Sequence, residues 1–117
     1  MPYITKEQVA LKRKQIKKQF PDFKFSIRNE NYSKISVTIL EGPIVMTDRE
    51  DGYEHVNVFS IGRVYENKPT VKSVLEGIYS IINRDNYTES VDGDYGNIPS
   101  FYTRIAIGDW DRPYICK

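Results

Sequence analysis

Residues 23–40 read FKFSIRNENYSKISVTIL. In the first six, Phe23, Phe25 and Ile27 alternate with Lys24, Ser26 and Arg28, which is the two-residue period of a strand with one buried face. Asn29, Glu30 and Asn31 supply a turn, after which Ile35, Val37 and Ile39 alternate with Lys34, Ser36 and Thr38. Two amphipathic strands joined by so short a turn make an antiparallel hairpin with a single apolar face. An apolar face needs a cover, so the flanking segments decide the rest of the fold.

Two segments qualify. Upstream, Thr5 reads as a helix N-cap with Gln8 at N3, and Ile4 and Val9 can close a hydrophobic staple. Val9, Ile16 and Phe20 then share a stripe from which Leu11 is excluded, and Pro21 ends the helix. Downstream, Val71, Val74, Leu75, Ile78, Ile81 and Ile82 follow helical spacing closely, with Thr70 as the expected cap. Gly77 inside this second helix costs about 1 kcal/mol relative to Ala unless close packing requires it.

The remaining runs are assigned around these. Gly42-Pro43 ends the hairpin, and MTDREDG, residues 46–52, reads as an acidic loop that continues to residue 54. EHVNVFSIG is a third strand with imperfect alternation. YTESVDGDYGNIP is a long loop or loose edge strand. SFYTRIAIG is a strand whose hairpin partner is PYIC, with Gly108, Asp109, Trp110 and Asp111 as the turn. The expected fold is α+β in one domain spanning 1–117, in the order α-β-β-β-α-β-β, with an antiparallel sheet of about four or five strands carrying two helices on one face.

The 117 residues, 39% hydrophobic and 28% charged, fit one ordinary globular core. Cys116 has no partner for an internal disulfide, and MPYITKEQVALKRK contains no apolar run of signal-peptide length, so a cytoplasmic protein without membrane attachment is expected. Net charge is +1, yet the first 28 residues carry eight Lys or Arg against two acids. A basic end and an acidic body result.

Catalytic and metal-binding patterns are thin. A Cys116–His55 dyad would need geometry that sequence does not supply, and the more ordinary reading makes Cys116 a small packing residue or a frayed terminal one. Asp48, Glu50, Asp51 and Glu54 lie near His55, and Asp92, Gly93 and Asp94 near one another, but neither group has the spacing of a calcium loop or a zinc site. No cofactor is expected, since phosphate-binding glycine patterns are absent as well. The stronger surface is basic: Lys12, Arg13, Lys14, Lys17 and Lys18 on the first helix, and Lys24, Arg28 and Lys34 on the polar side of the hairpin. On one face together, these would form a patch for phosphate oxygens, with Tyr32 available for stacking. The order α-β-β-β-α also matches that of double-stranded RNA-binding domains at the level of elements.

IKKQFPDFKFSIR followed by YSKISVTILEGP resembles the large polyvalent-protein-associated domains of phages and conjugative elements, in the type with a K-K-x-F-P-x-x-K-F-S-V-R core. The matching positions are Lys17, Lys18, Phe20, Pro21, Lys24, Phe25, Ser26, Ile27 and Arg28, then Ser36, Val37, Gly42 and Pro43. The closing DYGNIPSFYTRIAIGDWDRPYICK is similar to the aromatic hairpin that ends a free-standing branch of that family. The resemblance implies a bacterial, phage- or plasmid-associated setting beside nucleic-acid-processing and anti-restriction modules, and it carries no catalytic residues. The expected function is therefore a non-enzymatic mobile-element accessory domain that binds a macromolecule, with nucleic acid held by Lys12, Arg13, Lys17, Lys18, Lys24, Arg28 and Lys34. One alternative is a protein-binding inhibitor of a host defence factor, using Tyr95, Tyr102 and Trp110, with Tyr53 and Tyr65 also exposed. The other is a small enzyme using His55 or Cys116.

Overall fold

A computed structural model describes residues 4–31, 33–47, 49–84, 86, 88–90, 97–99, 101–109 and 111–117. Helix α1 spans Lys6–Gln19 and begins as its sequence requires. The Thr5 hydroxyl accepts from the Gln8 amide at 3.1 Å, and the Gln8 side chain accepts from the Thr5 amide at 2.8 Å. Phe20 caps the other end, just ahead of Pro21.

Strands β1 (Lys24–Glu30) and β2 (Lys34–Gly42) form the antiparallel hairpin, with Phe25, Ile27 and Asn29 opposite Ile39, Val37 and Ile35. The turn falls two residues later than expected. Asn31 adopts φ 54°, a left-handed conformation that Asn tolerates better than most residues, while Asn29 and Glu30 remain in the strand. Strand β3 is only Glu54–Val56, because Asn57 folds the chain: its side chain accepts from the Phe59 amide at 3.0 Å and its carbonyl from the Ser60 amide at 3.0 Å. This local turn replaces most of the expected third strand. A short helix α2 (Ile61–Val64) follows.

Helix α3 spans Pro69–Ile82 and buries all six residues of the expected stripe. Its N-cap is Lys68 and not Thr70. Pro69, whose fixed φ suits the first helical position and whose missing N–H is not needed there, sets the start. Gly77 answers to close packing, since a Cβ there would stand 2.8 Å from Cζ of Phe20. The expected loop at 87–99 contains two short strands, β4 (Thr88–Ser90) and β5 (Asn97–Pro99), paired antiparallel.

Strand β6 (Tyr102–Ile107) corrects the expected topology: it lies parallel to β2, between β2 and β3, so the main sheet is mixed, in the order β1-β2-β6-β3. Ile105, Ala106 and Ile107 are all fully buried, in keeping with a strand flanked by β2 and β3 on its two edges. Strand β7 (Ile115–Cys116) is likewise not the hairpin partner of β6. It pairs parallel with β2, beside Glu41 and Gly42, on the edge that β6 has left. Gly108, at φ 70°, and a bridge between Asp109 and Arg112 make this detour.

Register separates the two faces of the sheet. Ile27, Ile35, Val37, Ile39, Val56, Ile105 and Ile107 join Val9 and Ile16 of α1 and the stripe of α3 in one core cluster, against which Phe25 packs. Ser26, Arg28, Ser36, Thr38, Tyr102, Arg104 and His55 alternate with these residues and occupy the side without helices.

A cationic basin on the open face of the sheet

The open face holds a basin of about 470 Å³ lined by Ser26, Arg28, Glu30, Lys34, Ser36, Thr38, Leu40, Arg104, Asp109, Asp111 and Arg112. Strand alternation places its floor, the hydroxyls of Ser26, Ser36 and Thr38, on two adjacent strands. Arg104 arrives from β6, opposite Ser36 in the parallel register. Its guanidinium donates to the Ser36 hydroxyl at 3.2 Å and to the Tyr53 hydroxyl at 3.3 Å, which fixes its direction. Lys34 pairs with Glu30 across the hairpin at 3.1 Å. Arg28 and Arg112 are exposed and have no side-chain ion pair among the described residues. Tyr102, 51% exposed, stands opposite Lys34 on the same face.

The expected cations divide between two sides. Arg28 and Lys34 line the basin, and Lys24 lines an adjoining hollow of about 200 Å³ that shares Leu40 and Arg112 with it. Helix α1 packs on the other face, so Lys17 and Lys18, although exposed, do not continue this surface. Arg13 is half-buried and donates to the Ile27 carbonyl at 2.8 Å on the outermost strand. Lys12 is 5% exposed, and its ammonium donates to the Ile81 and Arg84 carbonyls at 3.2 and 2.6 Å, 5.2 Å from the centre of the Phe101 ring. Lys12 therefore serves the end of α3 and does not line the basin. The single patch of helix and hairpin is corrected to a basin on the hairpin side, completed by Arg104 and Arg112. Those two were not legible as site residues, because their position depends on β6 lying beside β2 and on the turn after it.

The remaining candidates are placed as follows. Tyr65 is buried, not exposed, and its hydroxyl donates to Glu54, whose other oxygen accepts from the Thr47 hydroxyl at 2.9 Å. Burial, followed by the hydrogen bond and charge of Glu54, raises the Tyr65 pKa well above its ordinary value. Asp51 accepts from the Tyr53 amide at 3.2 Å and pairs with Arg49 at 3.5 Å, so these loop acids shape the loop. Among the described residues no three His, Cys, Asp or Glu side chains gather as a metal site would need. His55 is exposed opposite Ala106, and Cys116 is exposed beside Gly42, on strands that do not pair with each other. Tyr32, Asp48, Asp92, Gly93, Asp94, Tyr95 and Trp110 lie outside the described residues. Among the described residues, no helix is long and apolar enough to cross a membrane.

The closing segment is chiefly a clasp. The Tyr114 amide donates to the Gly52 carbonyl at 2.9 Å and its hydroxyl to the Ile44 carbonyl at 2.6 Å, which ties the 44–54 loop to the sheet. Burial, and secondarily the charge of Cys116, push the Tyr114 pKa up to about 12.

A family model, described as large polyvalent protein associated domain 29, matches residues 3–89. The match includes α1, the hairpin and α3 and stops before β6, so the likeness drawn for the closing aromatic segment lies beyond it. No curated protein and no solved structure matches the chain.

Proposed function

The chain belongs to the large polyvalent protein associated domain 29 family, and from the face its sheet leaves open we propose that it is a non-enzymatic binding domain for a nucleic-acid strand. The observation that carries this reading is the convergence of Arg28, Lys34, Arg104 and Arg112 around a hydroxyl floor. Guanidinium groups match phosphate geometry, serine and threonine hydroxyls add neutral donors, and the exposed Tyr102 offers a base a stacking surface beside Lys34. The setting we propose is bacterial cytoplasm, with the domain accessory to a phage or plasmid.

The test is a fluorescence-anisotropy titration of a short labelled single strand at several salt concentrations. Four phosphate contacts give a log–log slope of about −3, a loss of roughly fifty-fold between about 50 and 200 mM salt. Arg28→Ala and Arg112→Ala each flatten that slope by about 0.7, whereas Lys17→Ala and Lys18→Ala leave it unchanged. Absence of binding at low salt, or affinity indifferent to salt, overturns the reading. The protein-binding alternative would then stand, supported by Phe59, which is 88% exposed ahead of α2.

A further inference from the structure

Asp111 has no role in binding phosphate. It lines a basin with four cations, yet a carboxylate only accepts hydrogen bonds and repels a phosphate. Of the three carboxylates there, Glu30 is paired with Lys34, and Asp109 is engaged in the turn that it closes with Arg112. No side-chain hydrogen bond or ion pair of Asp111 occurs among the described residues, and the residue is exposed at the rim. A ligand that fills the basin therefore meets cations and an unpaired carboxylate side by side. A strand with unpaired bases presents both complements, because its phosphates are anionic and the exocyclic amino groups of its bases are donors. In a duplex one hydrogen of each amino group is taken by the partner base and the other is reached only through the major groove, whereas an unpaired base can bring its whole amino edge to a basin on the protein surface.

We propose that the basin takes an unpaired base whose exocyclic amino group donates to Asp111, so that cytosine is preferred over thymine at this position. The two pyrimidines differ where it matters: cytosine carries an amino donor at the ring position at which thymine carries a carbonyl acceptor, and that acceptor would face the carboxylate. The inference rests on the reading that the open face holds a nucleic-acid strand.

Oligo-dC and oligo-dT of equal length, titrated at neutral pH and the same low salt, have the same backbone charge and test the base alone. The expected result is about ten-fold tighter binding of oligo-dC, within the range for a side chain reading a base edge. Asp111→Asn, whose amide both donates and accepts, brings the two affinities together. Asp111→Ala also abolishes the preference and strengthens oligo-dT binding by removing a like charge. The site is exposed, and unchanged thermal unfolding of both variants checks that each is folded. Equal affinities in the unaltered protein, or a preference that survives Asp111→Asn, overturn this inference while leaving the proposed function intact. Failure of both strands to bind defeats the proposed function itself.

Discussion

Lys12 shows how a single residue can mislead by its type and inform by its position. Val9, Lys12 and Ile16 are spaced i, i+3, i+7, so Lys12 belongs to the buried stripe of α1 although its charge suggests solvent. The stem crosses the core edge and the ammonium reaches the end of α3, a helix with no basic residue in its own last turn. A cation there adds a donor to the Ile81 carbonyl, which also accepts from the Arg84 amide at 3.3 Å, reaches the Arg84 carbonyl beyond it, and meets the negative end of the helix dipole. Lys12→Ala is therefore expected to cost about 2 kcal/mol, from carbonyls losing their donor and a stem losing its contacts. For a domain of this size that lowers Tm by roughly 8 °C in a thermal melt. Lys12→Met keeps most of the stem and should fall between. Both variants should bind nucleic acid as tightly as the unaltered protein at a temperature where they are folded, and a specific loss of binding would return Lys12 to the interface.

At the scale of elements, the turn after β6 controls where the chain finishes. Gly108 donates to the Ile39 carbonyl at 2.7 Å at φ 70°, and a Cβ on it would collide with the Gly52 carbonyl oxygen, itself held by the Tyr114 amide. Backbone cannot yield as a side-chain tip can. Gly108→Ala is expected to cost more than about 2 kcal/mol through strain at positive φ plus that collision, read as a lower midpoint in denaturant unfolding. An unchanged midpoint would mean that the detour to β7 is not held as described. The same turn marks where sequence stops being legible. The cap of α1, the stripe of α3 and the hairpin all follow from neighbours within a few positions, and each formed. Strand order follows instead from crossovers, and an alternating pattern is satisfied by an antiparallel or a parallel neighbour. Ile105-Ala106-Ile107, apolar without a break, carried the one local hint that β6 is central. The site divides in the same way: Arg28 and Lys34 follow from hairpin alternation, while Arg104, Arg112 and Asp111 reach the basin only through the tertiary path.

Across the whole molecule, the sheet is a wall between an apolar layer beneath the helices and a polar basin, and the 44–54 loop connects β2 to β3 beside it. Two phenols hold the loop from opposite ends, Tyr65 on Glu54 and Tyr114 on the Ile44 carbonyl, and Tyr53 from the same loop supports Arg104 in the basin. Both phenols titrate above their ordinary value because burial disfavours the phenolate. A pKa raised on folding means that the native state retains a proton the unfolded chain has released, so stability falls as pH rises across that interval. The contribution is fully present below the ordinary value of 10.0 and, for Tyr114, is lost as pH rises towards about 12. Stability measured by denaturant unfolding should thus be insensitive to these two groups below that interval and decline through it. Tyr114→Phe retains the ring but not the donor, and should lower stability near neutral pH by about 1 kcal/mol while removing its share of the alkaline decline. Phenolate absorbance, followed in parallel, should show Tyr65 and Tyr114 titrating late. If Tyr114→Phe left the alkaline profile unchanged in shape, the clasp would have to be assigned to Tyr65 and Glu54 alone.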